Sequence, residues 1–180
     1  FSKLMDWEDR GTCVLFGDGA GALIVEAQEG EGSAKDRGIL ATDLHSDGQF
    51  KDLLYVDGGV SHQNTGKLRM VGKEVFRHAV EKLATCTEDA MEKAGVSAND
   101  VHWVVPHQAN LRIIKATATK MSFPLDKIVV TVQDHGNTSA ASIPLALSTG
   151  HDRGQIKKEQ LLVMEANGGG LAKGAIHLRW

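Results

Sequence analysis

The chain has 180 residues, a formal net charge of −3, 42% hydrophobic and 24% charged residues, which is enough for one soluble globular core. The charge balance leaves no nucleic-acid footprint, because no basic run interleaved with aromatics occurs. No apolar stretch approaches the roughly 20 residues of a membrane span, and the longest runs, such as Leu161-Leu162-Val163-Met164, are strand-sized.

The sequence opens on Phe1 with neither an initiator Met nor a signal-peptide pattern, as expected of a fragment or a processed product. Two cysteines, Cys13 and Cys86, without a CxxC or Cys/His cluster, predict no disulfide framework and no zinc site. A cytoplasmic setting is expected.

Thr12 to Ala27 carries Cys-Val-Leu-Phe and Ala-Leu-Ile-Val around Gly17-Asp18-Gly19-Ala20-Gly21. This predicts two strands, or one bent strand, broken where backbone approaches another element closely. A polar turn follows over Gly30 to Gly38, then a strand over Ile39 to Leu44. Ser46 to Gly66 is an irregular excursion long enough to be a functional loop. Val75, Phe76, Ala79, Val80, Leu83, Ala84, Ala90, Met91 and Ala94 recur at helical spacing, and Gly95 stands where a helix C′ glycine belongs. Strand and helix then alternate: His102 to Val105, Leu111 to Met121, Ile128 to Val132, Thr138 to Thr149. Two closing strands, Leu161 to Ala166 and Ala175 to Trp180, flank Gly168-Gly169-Gly170. The alternation predicts an α/β fold with a mixed sheet covered by helices. The early and late strand–glycine-turn–strand units echo each other, which suggests an internal duplication.

Two polar islands carry the chemistry: Pro106-His107-Gln108-Ala109-Asn110 and His135-Gly136-Asn137-Thr138-Ser139. Each follows a β-branched run and precedes a helical pattern, where α/β folds place their sites. A neutral His107 and a neutral Asn137 could direct two N–H donors at one oxygen, as needed to stabilise an enolate or oxyanion. Each also has a plainer reading, as a satisfied core histidine and as an Asx-turn or cap residue. Gly168-Gly169-Gly170 allows close approach of a backbone N–H to a ligand oxygen, or is only a flexible turn. The GxGxG over residues 17–21 opens no helix, so a dinucleotide site is not expected. Asp18 and Glu165 are read as structural. Arg112 and Lys115 share one helix face and suit an acidic or phosphate-bearing partner, or simply a solvated surface. Neither cysteine is placed as a reactive thiol.

At these residues the chain resembles the β-ketoacyl-[acyl carrier protein] synthase III family. The matching stretches are Asp9-Arg10-Gly11-Thr12 with Phe16 to Ala22, Trp103 to Ile114, His135 to Pro144, and Gly168-Gly169-Gly170. The resemblance implies a thiolase-like fold, with residues 1–27 as the last strand pair of a first half and 28–180 as the second half, built on a five-stranded mixed sheet. It implies His107 and Asn137 as two members of a Cys–His–Asn set whose Cys lies outside this chain, and a backbone oxyanion donor at Gly169. Gln108, Ala109, Asn110, Leu111, Arg112 and Lys115 are the implied carrier-protein and pantetheine segment. The implied reaction is decarboxylative condensation of an acyl-CoA primer with malonyl-acyl carrier protein, with both as substrates and no cofactor or metal. Acyl carrier protein, the other half and a second copy in a homodimer are the implied partners, and this chain alone is expected to be inactive. Ala172-Lys173-Gly174 departs from the Thr-Trp-Gly usual in the family. A condensing enzyme of secondary metabolism and a non-catalytic dimerising or carrier-binding piece remain alternative readings.

Overall fold

The computed structural model describes residues 1–180. Its centre is a four-stranded mixed sheet in the order β1-β6-β5-β4, formed by β1 (Gly38–His45), β4 (Trp103–Pro106), β5 (Leu161–Asn167) and β6 (Lys173–Arg179). β4 and β5 are parallel, whereas β5–β6 and β6–β1 are antiparallel. The parallel pair needs a crossover, which the helices α2 (Leu111–Lys120) and α4 (Ser142–Asp152) supply on opposite faces.

Side chains alternate along β5 as the pleat requires. Leu162 and Met164 join Val105, Ala146, Leu147, Ile156 and Leu178 in the core beneath α4, and Leu161 and Val163 join Val104, Ile114, Ala118 and Ile128 beneath α2. The long helix α1 (Gly72–Ala94) lies over the α2 side of the sheet, where Cys86 and Ala90 pack on Ala175. It ends in a left-handed Gly95 with φ 66°, whose N–H closes onto Glu92 and Met91 carbonyls. Polar contacts tie α1 to β1. The Asp43 carboxylate accepts from Lys93 Nζ, from Cys86 Sγ at 3.2 Å and pairs with His45 Nε2 at 2.8 Å. Burial pushes the Asp43 carboxyl up, but the Lys93 and Cys86 hydrogen bonds outweigh it and leave it below its ordinary value.

Three expectations need correction. The fifth strand, over Ile128 to Val132, is reduced to one parallel bridge from Ile128 to Val104, with Val129 N–H donating to Val104 O at 2.9 Å. The chain then turns into the single α3 turn (Val132–His135), because the Gln108 side chain captures the Thr131 and Val132 N–H groups that a strand would present to a neighbour. The strand pair expected within residues 1–27 does not form either. Phe16 makes one bridge, to Asn137, and residues 17–27 carry Leu23, Ile24 and Val25 exposed, with no partner strand in this chain. Third, the helix expected to begin at Thr138 starts with a 3₁₀ turn over Ser139–Ala141, and α4 proper begins at Ser142. The excursion at 46–66 holds two short 3₁₀ turns, and it leads through β2 (Leu54–Val56) into a pairing with β3 (Leu68–Met70).

The glycines at 17, 19 and 21 do serve close approach. A Cβ at Gly17 would overlap the His135 carbonyl, and Cβ atoms at Gly19 and Gly21 would strike Leu145 and Pro144. This segment lies directly against the start of α4.

Candidate active site

β4 and β5 point their carboxyl ends to the same side. There a cavity of about 830 Å³ opens, lined among others by His107, Asn137, Asn167, Gly168 and Gly169. His107 follows Pro106 at the end of β4, and its backbone N–H donates to Glu165 O at 2.7 Å, which fixes the turn to β5. Burial lowers the His107 imidazole to about 4, so it is neutral from mildly acidic pH upward and available as an N–H donor.

Asn137 reaches the same cavity from a different part of the chain. Its N–H donates to Leu15 O, and its carbonyl accepts from Gly17 N–H, both at 2.9 Å. Gly136 precedes it with φ 67°. The Asn137 Oδ1 accepts from Ser139 N–H at 2.9 Å, so the side chain is held as an Asx turn. That bond occupies the acceptor and leaves the NH₂ as the free function. The turn reading and the donor reading are therefore compatible.

Gln108 carries the largest revision. It is 1% exposed, and so cannot meet a docking protein. Its Nε2 donates to Pro106 O at 2.8 Å and Val129 O at 3.1 Å, while Oε1 accepts from Thr131 N–H at 2.8 Å and Val132 N–H at 3.0 Å. Buried polar groups need partners, and this one has all four. Gln108 is thus an internal clamp between the turn that bears His107 and the segment that leads to Asn137. Nothing in its sequence position distinguishes a clamp from a contact residue.

The neighbouring candidates divide. Ala109, Asn110, Leu111 and Arg112 line the cavity, and exposed Lys115 does not. Asn110 caps α2, with its Oδ1 accepting from Ile113 N–H at 2.9 Å. The Arg112 guanidinium lies over the Phe76 ring, 5.6 Å from its centroid. Gly169 lines the cavity next to Gly170, which has φ 67°, and a Cβ at Gly169 would meet Leu54 O at 3.0 Å.

Two features of β5 escape a motif search. Glu165 is 3% exposed, its Oε2 has no partner, and burial raises its carboxyl to about 8, so at neutral pH it is a protonated acid. Asn167 lines the cavity with its Oδ1 buried and unpartnered. The thiol of Cys86 is pushed up to about 12 by burial and by its hydrogen bond to Asp43, which is the opposite of nucleophile activation.

A sheet with its helices arranged in this way, with a neutral His and an Asn lining one cavity beside a glycine turn, is an α/β half-unit of the thiolase-like fold. Residues 91–180 match the model for the C-terminal part of 3-oxoacyl-[acyl-carrier-protein (ACP)] synthase III, and residues 1–48 match a second model of the same enzyme. The chain belongs to the 3-oxoacyl-[acyl-carrier-protein] synthase III family. It is 72% identical over 180 residues to the beta-ketoacyl-[acyl-carrier-protein] synthase III of Ruegeria sp. (strain TM1040), covering 100% of this chain and 56% of that relative. Among solved structures, the synthase III of Aquifex aeolicus superposes with a TM-score of 0.90 at 46% identity, covering 99% of this chain and 55% of that one. The Pseudomonas aeruginosa synthase III gives 0.91 at 39% identity, with the same coverages of 99% and 55%. The chain spans about half the length of the relatives it matches.

Proposed function

We propose that this chain supplies the His and Asn of a condensing site that joins an acyl primer to a malonyl thioester. A cysteine thiolate outside the chain attacks the acyl-CoA carbonyl, the thioester C–S bond breaks, and CoA leaves as a thiolate that takes up a proton. The malonyl unit then loses CO₂: its carboxyl C–C bond breaks, and the electron pair passes into an enolate whose oxygen accepts from His107 and Asn137. The enolate carbon attacks the acyl thioester, and the backbone N–H of Gly169 donates to the resulting oxyanion. Collapse releases the cysteine thiolate, which takes up a proton. The chain's own contribution is to hold two neutral donors where negative charge develops, a term worth several kcal/mol in such sites.

The observation that carries this reading is that His107 and Asn137, delivered from separate turns, line one cavity while burial keeps the imidazole neutral. A permanent imidazolium would hold the malonyl carboxylate and oppose its loss. Arg112 lines the same cavity, and Lys115 follows it three residues later on α2. They suit an acidic carrier protein bearing a phosphopantetheine arm.

The test separates the half-reactions in the full-length protein. His107→Ala and Asn137→Ala should each lower malonyl decarboxylation about 100-fold or more, and acyl-enzyme formation far less. Equal losses in both half-reactions would refute the assigned roles.

A further inference from the structure

The proposed reaction uses His107, Asn137 and a backbone N–H on thioester oxygens and leaves the malonyl carboxylate without a partner. The cavity has two charged side chains in its wall, Lys73 and Arg112, on the first turns of α1 and α2. At the carboxyl ends of β4 and β5 the polar side chains in the wall are neutral, and one of them, Asn167, has no assigned task. Asn167 is the last residue of β5, directly before the Gly168–Gly170 turn and two residues after the carbonyl that fixes His107.

Its side chain is unusual for a half-buried amide. The Oδ1 is shut off from solvent without a hydrogen-bond partner, and the Nδ2 makes no hydrogen bond within the chain. An amide with neither end bonded in a cavity wall costs stability unless a ligand pairs with it. Glu165 lies two residues earlier on the same side of the strand, and burial keeps its carboxyl protonated up to about 8. Held neutral, it puts no negative charge beside the amide. The Nδ2, unlike Oδ1, is not shut off from solvent, so the NH₂ faces the cavity that Asn167 lines.

Resting on the condensing-site reading above, we propose that Asn167 binds the carboxylate of the malonyl unit through its side-chain NH₂. A neutral amide fits this task better than Lys or Arg. It holds the carboxylate by a hydrogen bond, yet adds little of the ground-state stabilisation by which a cation would retard loss of CO₂.

Two substitutions in the full-length protein test this. Asn167→Leu removes both amide functions at similar volume. It should raise the KM for malonyl-carrier protein about tenfold or more, as for a lost hydrogen bond to a charged group, and slow acyl-enzyme formation from acyl-CoA much less. Asn167→Asp places like charge against the carboxylate, so the ratio of malonyl- to acetyl-carrier-protein dissociation constants should rise at least tenfold. That ratio does not depend on the folded fraction, and Asn167→Ser measured in the same way covers a variant that folds poorly. An unchanged KM in Asn167→Leu, or an unchanged ratio in Asn167→Asp, overturns the proposal. His107→Ala assayed alongside distinguishes the two readings: if it decarboxylates malonyl thioesters at full rate, the condensing site itself is wrong, and if it does not, only the role of Asn167 falls.

Discussion

Replacing Glu165 by Gln should stabilise the full-length protein, and only on the alkaline side. Glu165 is 3% exposed, has an unpartnered Oε2, and its carboxyl is raised from 4.5 to about 8 by burial alone. Below about pH 4.5 the carboxyl is neutral in the folded and unfolded chain alike, and it contributes no pH dependence. Between about 4.5 and 8 the unfolded chain ionises while the folded one holds its proton, so stability falls as pH rises. Above about 8 both states are ionised and the loss is complete. A shift of about 3.5 units at 1.36 kcal/mol per unit corresponds to about 5 kcal/mol, a large share of the 5–15 kcal/mol that holds a typical domain. Gln keeps the shape and cannot ionise. Thermal unfolding at pH 5 and pH 8 should therefore show nearly equal midpoints for wild type and variant at pH 5, and a midpoint on the order of 10 °C higher for the variant at pH 8. A variant that is destabilised equally at both pH values would refute the argument, because it would show the carboxylate to be ionised and satisfied inside the fold.

The internal scaffold of the site can be tested without touching its donors. Gln108→Leu strands two carbonyls and two N–H groups in the interior, so chemical denaturation should show a loss of at least about 3 kcal/mol, and Gly17→Ala should push the His135–Asn137 turn away and depress decarboxylation with little effect on the secondary-structure signal. The chain by itself should take no covalent label from radiolabelled acetyl-CoA, because burial holds the Cys86 thiol up at about 12. Label that disappears on mutating Cys13 or Cys86 would overturn the placement of the nucleophile outside this chain.

Elements with a complete local signal were legible in the sequence. The apolar spacing from Val75 to Ala94 and the following Gly95 define a helix that the structure extends only to Gly72, and the runs at 161–166 and 175–180 become β5 and β6 within two residues at either end. The two polar islands were legible for the same reason, since turn chemistry after a buried run is local. Pairing was not. Ile128 to Val132 has the composition of a strand, but a strand is completed by a neighbour's backbone, and here a side chain far along the chain takes those N–H groups. Cys-Val-Leu-Phe and Ala-Leu-Ile-Val likewise have strand propensity with no partner strand in this chain, and Leu23, Ile24 and Val25 stay exposed. Gln108, Glu165 and Asn167 show the same limit from the other side. The sequence by itself determined which residues carry donors, acceptors and ionisable groups. The tertiary structure decided that Gln108 is fully spent inside, that Glu165 keeps its proton, and that Asn167 keeps a free amide at the cavity, because satisfaction and desolvation depend on what the rest of the chain brings within about 3 Å.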